Sequence, residues 1–209
     1  MRRLLLDSLA MPSDRAAPVD ETAIRACAAS GDFDGATTRA IRGYGAEIYG
    51  FLVSLARDEA RASDAFSFFA ENLWRSLRTF EWKCSLRAWC YRLARNALSD
   101  VRRRARGDDV ALTAVSEIAE AVRSETAAYL KTDAKTELQR LRATLPPDDE
   151  QLLVLRVDRD MSFEDLARVF GGDPPLEGAA LDREAARLRK RYQLVKERFV
   201  AMVRAKRKD

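Results

Sequence analysis

The chain has 209 residues, is 47% apolar and 33% charged, and carries a formal net charge of +4 with no histidine. That is enough for one large domain or two small ones with a packed core, and no apolar run reaches the roughly 18 residues of a membrane span. The commonest general base is absent, and three cysteines without paired spacing suggest neither a disulfide framework nor a zinc site. No Gly-rich phosphate loop, nucleophile elbow or carboxylate pair stands out, so no catalytic, cofactor or metal site is expected and the chain reads as a non-enzyme.

Scarce glycine and proline and a regular apolar spacing predict an all-α fold. Charge is laid out in blocks: residues 1–74 are net −3, 75–106 net +8, 107–181 net −8 and 182–209 net +7. Two basic blocks separated by an acidic one predict two nucleic-acid contacts on two modules. The expected domains are a loose tail over 1–20, a first helical module over 21–106, a linker over 107–135 and a second helical module over 136–209.

The N-terminal stretch is too interrupted, at Asp7, for a secretory signal. The first module opens with a short helix over 22–29, punctuated by Gly31 and Gly35. A helix over 36–57 follows, with Ile41, Tyr44, Ile48, Phe51, Leu52 and Leu55 at the spacing of a core-facing stripe. Gly43, Gly45 and Gly50 weaken that helix locally and suggest close approach of a neighbour. Ser63 is the expected N-cap of a helix to Leu77. This helix carries Phe66, Phe68, Phe69, Leu73, Trp74 and Leu77, more large apolar groups than one face can bury. An exposed apolar patch, and hence a protein interface, is expected there.

After a connection over 79–83, Ser85 can cap a long helix to residue 104. Leu86, Trp89, Cys90, Leu93, Ala97 and Val101 form its expected buried stripe, with Cys90 as a small buried hydrophobe. Tyr91, Arg95, Ser99 and Arg102 fall on the opposite side, flanked by Arg92 and Arg103. Positive charge interleaved with Phe80, Trp82, Trp89 and Tyr91 suits a phosphate backbone with bases set against rings. The stretch from 105 to 136 is polar, helical in part over 113–130, and reads as the linker.

The second module begins with a short helix carrying Leu138, Leu141 and Leu145, stopped at Pro146-Pro147. A helix over 148–157 comes next. Ser162 opens another in a capping-box arrangement with Asp165, ended by Gly171-Gly172. The last helix starts near Asp182, with Leu188, Tyr192, Val195, Phe199 and Met202 on its core side. Arg183, Arg187, Lys190 and Gln193 line the other. A short capped helix, a turn and a basic helix make a helix-turn-helix, whose second helix enters the major groove of duplex DNA.

Two segments in this order, LWRSLRTFEWKCSLRAWCYRLARNALSDVRRR and LPPDDEQLLVLRVDRDMSFEDLARVFG, resemble the second and fourth conserved regions of extracytoplasmic-function sigma factors, of the sigma-70 family. The resemblance covers roughly residues 36–106 and 136–206. It implies a cytoplasmic protein of two helical domains that binds RNA polymerase core, recognises promoters and melts the −10 element. It implies polymerase contacts at Asp64 and Trp74, and the surplus apolar surface of the same helix adds Phe68 and Asn72 to them. Single-stranded −10 contacts would come from Phe80, Glu81, Trp82, Lys83, Ser85, Trp89, Arg92, Arg95, Asn96, Arg102 and Arg103. Duplex −35 contacts would come from Arg183, Arg187, Lys190 and Gln193. An anti-sigma factor is a further partner the resemblance allows. Ser67 and Phe68 stand where the family has a glutamine and an acid, and the 171–184 connection is longer than the family's turn. The alternative from another class is a helix-turn-helix regulator that never binds polymerase.

Overall fold

The computed structural model describes residues 19–104, 116–130, 137–172 and 175–206, and the regular structure among them is helical throughout. The helices fall into two compact units, one within Pro18–Asp133 and one within Ala134–Asp209.

The first unit contains α1 (Glu21–Ala29), α2 (Phe33–Ala56), α3 (Glu59–Ser76), a 3-10 turn (Leu77–Thr79), α4 (Leu86–Arg104) and α5 (Ser116–Leu130). Aspartates start the first three helices. The Asp20 side chain accepts from Ala23 N–H, Asp32 from Gly35 N–H and Asp58 from Arg61 N–H, at 2.8–3.1 Å. Each supplies an acceptor for a donor that has no partner inside the helix. Asp58 rather than Ser63 is therefore the cap of α3, five residues before the expected one. A short polar acceptor placed directly after the left-handed residue Arg57, φ 58°, fixes the break from α2.

α2 is the central element. Its predicted stripe of Ile41, Tyr44, Ile48, Phe51, Leu52 and Leu55 is buried throughout. Phe66, Phe69, Leu73 and Leu77 of α3 are also buried. Phe66 meets Tyr49 edge-on at 5.4 Å between centroids and Phe69 at 5.5 Å. The expected exposed patch on α3 is not present. Phe68 and Trp74 are half-buried, and the Trp74 indole N–H donates to Asp34 at 2.7 Å. The surplus rings are taken up because α3 has packing partners on several sides, α2, α4 and α5.

The stretch expected to be a linker contains α5, which packs on α2 and α3 as part of this unit. Its sequence has little apolar periodicity, and its docking rests on two local devices. Gly45 leaves room for Val122, since a Cβ built on Gly45 would lie 2.8 Å from a Val122 methyl and 3.4 Å from the Phe66 ring. Arg123 donates to the Ser63 hydroxyl at 2.6 Å and the Ser67 hydroxyl at 3.1 Å, and it pairs with Glu120. Gly45→Val is expected to destabilise the unit by about 1–3 kcal/mol through overpacking. In a urea titration, Val122→Ala in the same chain should recover part of that loss, because the two sites share one contact. Purely additive effects would rule out the fit described.

The second unit contains α6 (Glu137–Arg142), α7 (Pro147–Val157), α8 (Phe163–Phe170) and α9 (Gly178–Lys206). Pro147 occupies the first turn of α7, where its missing N–H costs nothing. Ser162 caps α8 as read, its hydroxyl accepting from Asp165 N–H at 3.0 Å, but the reciprocal half of the expected box differs: the Asp165 carboxylate accepts from the Ser162 hydroxyl at 2.8 Å and not from its backbone N–H. α9 starts four residues before the expected Asp182, which shortens the connection from α8. Leu188, Val195 and Phe199 are buried, and Tyr192 and Met202 are half-buried against the same core of Leu145 and Leu153.

Candidate nucleic-acid interface

The basic helix α4 is oriented differently from the simple two-sided reading. It packs on both α2 and α3, so the buried part of its circumference is wide. Ala88, Ala94 and Leu98 join Leu86, Cys90, Leu93, Ala97 and Val101 in the core. Tyr91, expected on the outer face, is fully buried and meets the Phe51 ring edge-on at 5.2 Å. Arg92, also expected outside, is 5% exposed with its guanidinium 5.2 Å from the Trp89 ring centroid. Trp89, assigned to the buried stripe, is half-buried instead.

What α4 shows to solvent is Asn96, Ser99 and Arg102, with Arg95 half-buried beside them. Arg102 also donates to the Leu55 carbonyl at 3.3 Å, across the end of α2. Arg103 belongs to α4, but its side chain lies outside the described residues. Arg87 faces inward to Glu47 through two hydrogen bonds of 2.9 Å. Burial works against that guanidinium's charge, but the bonds and charge of Glu47 outweigh it and push its pKa above the usual arginine range.

The loop before α4 is organised by its rings. Phe80 lies 4.9 Å from Trp82 and 5.3 Å from Trp89, stacked on the latter at 24°. Arg92 sits over Trp89 at one end of this series and Arg25 of α1 over Trp82 at the other, 5.6 Å from its centroid. Three rings bounded by two guanidiniums therefore make one continuous contact, and the rings are not splayed separately for bases. Trp82 has φ 57°, a conformation bulky residues seldom adopt, and its contacts with Phe80 and Arg25 hold it there. The Trp89 indole N–H is buried without an acceptor among the described residues. Glu81 and Lys83 are exposed and paired with each other at 2.9 Å. Exposed Ser85 caps α4 as read, accepting from Ala88 N–H at 3.2 Å.

Sequence reading missed the support beneath this loop. The Glu21 carboxylate accepts from the Leu86 and Arg87 N–H groups at 3.0 and 2.9 Å and from the Tyr44 hydroxyl at 2.6 Å. Burial first, and then the bond to Glu21, push the Tyr44 pKa far above the usual tyrosine value. Burial likewise pushes the Cys90 thiol up, so it is held protonated in the core as expected. Cys84 is half-buried.

On α3, Asp64 is exposed, and Phe68, Asn72 and Trp74 are half-buried. Asp64, Phe68 and Asn72 follow one another at four-residue spacing and share a face. In the second unit Arg183, Arg187, Lys190 and Gln193 are all exposed on α9, as read. Arg187 makes a bidentate pair with Glu184 at 2.6 and 2.7 Å.

Residues 40–107 match the family model of Sigma-70 region 2. The match runs from within α2 through α3 and the ring loop to the end of α4. Neither a curated protein nor a solved structure matches the chain. No described helix is long and apolar enough to cross a membrane.

Proposed function

We propose that this protein is a sigma factor of the extracytoplasmic-function type, which binds RNA polymerase core and directs promoter recognition, −10 melting and transcription initiation. The observation that carries this reading is the coincidence of the Sigma-70 region 2 match with the ring loop and basic helix of one unit. The protein acts in the cytoplasm and has no catalytic step of its own.

Polymerase binds the face of α3 bearing Asp64, Phe68 and Asn72, with Trp74 at its edge. The single-stranded −10 element binds the loop of Phe80, Glu81, Trp82, Lys83 and Ser85 and the adjoining α4 positions Trp89, Arg92, Arg95, Asn96, Arg102 and Arg103. Arg92 and Trp89 act there as the floor of the ring series, and the polar tips of Glu81, Lys83 and Asn96 meet the base. Unstacking a base costs a few kcal/mol, which contacts with rings and polar groups offset. Arg183, Arg187, Lys190 and Gln193 of α9 read the duplex −35 element from the major groove. Binding of an anti-sigma factor would cover one of these surfaces.

Run-off transcription with core polymerase, with and without this protein, tests the reading. Promoter-dependent transcripts should require the protein. In the same assay Asn96→Ala combined with Arg95→Ala should lower open-complex formation by at least tenfold, as expected for the loss of about 1.4 kcal/mol or more of strand contacts. A protein that binds duplex DNA but never supports transcription would be a helix-turn-helix regulator instead.

A further inference from the structure

α1 lies outside the matched segment 40–107, yet two of its side chains reach the loop and helix that follow residue 80. Glu21 and Arg25 are one helical turn apart and share a face. The Glu21 carboxylate closes the start of α4 from 65 positions earlier in the chain, by accepting the Leu86 and Arg87 N–H groups. Those two donors have no acceptor within their own helix, and a negative group also suits the positive end of the helix dipole. The Tyr44 hydroxyl fixes the same carboxylate from α2. Arg25 is exposed and lies over Trp82, mirroring Arg92 over Trp89 at the far end of the ring series. A guanidinium has five N–H donors, so an exposed one over a ring keeps donors for a phosphate.

We propose that α1 is part of the single-strand-binding site: Arg25 binds the phosphate beside the captured base, and Glu21 is a positioning residue that holds the ring loop and α4 in register. The inference rests on the reading of residues 80–96 as a single-strand surface. Every strand bound against Trp82 then passes Arg25, whatever its sequence. Glu21 touches no nucleotide, so its effect falls on the fit of the loop and leaves the number of phosphates neutralised unchanged.

Fluorescence anisotropy on the full chain separates these roles. The probes are a labelled mixed-sequence single strand of about 12 nucleotides, within the site sizes such surfaces take, and the matched duplex. Wild type should prefer the single strand. Equal affinity for both would overturn the reading of the loop, and the inference with it. Arg25→Ala should weaken single-strand binding and reduce the slope of log affinity against log salt by about 0.7, the share of one phosphate. Arg25→Lys should restore the slope. If Arg25→Ala leaves slope and affinity at wild-type values while the single-strand preference persists, Arg25 is not in the site and the reading of the loop stands. Glu21→Gln should lower the ratio of single-strand to duplex affinity at an unchanged salt slope, whereas general destabilisation would weaken both probes alike. An unchanged ratio overturns the positioning role. Should Glu21→Gln fail to fold, Tyr44→Phe removes only the donor that orients the carboxylate and should shift the ratio the same way; no shift there would overturn it equally.

Discussion

Phe66→Ala should destabilise the N-terminal unit by about 3–5 kcal/mol, the usual cost of emptying a fully buried phenylalanine site. Phe66 is completely inaccessible, touches the Tyr49 and Phe69 rings, and faces the Gly45 backbone where α5 docks. Its loss therefore opens a void bordered by three helices, α2, α3 and α5. Backbone-limited neighbours such as Gly45 cannot fill it. Phe66→Leu keeps most of the volume and should cost less than about 1.5 kcal/mol. Urea denaturation followed by circular dichroism measures both. A Phe66→Ala loss no larger than that of Phe66→Leu would mean that the site collapses readily, contrary to the packing described.

Asp158→Ala should cost the C-terminal unit about 3–5 kcal/mol, because it removes the carboxylate bonded twice to a buried guanidinium. Arg142 and Asp158 are joined by two bonds of 2.6 and 3.0 Å, with side chains only 6% and 10% exposed. The pair links α6 to the end of α7. The double change Arg142→Met with Asp158→Leu removes both charges together. It should recover most of the loss, since an apolar pair of similar volume is often as stable as a buried ion pair. Additive losses in the double variant would show that the two charges are solvated separately, against the geometry seen.

The apolar stripes of α2 and α9 were legible from spacing because each presents one well-defined face to a core. α4 was not, for a physical reason. A helix wedged between two others buries more than half of its circumference, and no period of three or four says which flank is covered second. Tyr91 and Arg92 lie on that second flank. Arginine there could still be buried because its guanidinium sits over the Trp89 ring. The aromatic loop was recognisable from composition. The order of its rings and the two arginines that bound them were not, since Arg25 and Trp82 come together only when α1 folds across the start of α4. The Glu21 cap is equally non-local. The Ser162 cap and the exposed basic face of α9 depend on residues a few positions apart, and both appear where they were read.

The docking of α5 bears on how the N-terminal unit should be prepared as a fragment. A boundary drawn at residue 107, where the family match stops, would remove the helix that carries Val122 and Arg123. The groove at Gly45 and the edge of Phe66 would then face water, and the Ser63 and Ser67 hydroxyls would lose their shared donor. Such a fragment should self-associate or precipitate, as proteins with uncovered apolar grooves do. A fragment running to Asp133 keeps the groove filled and should stay monomeric in gel filtration.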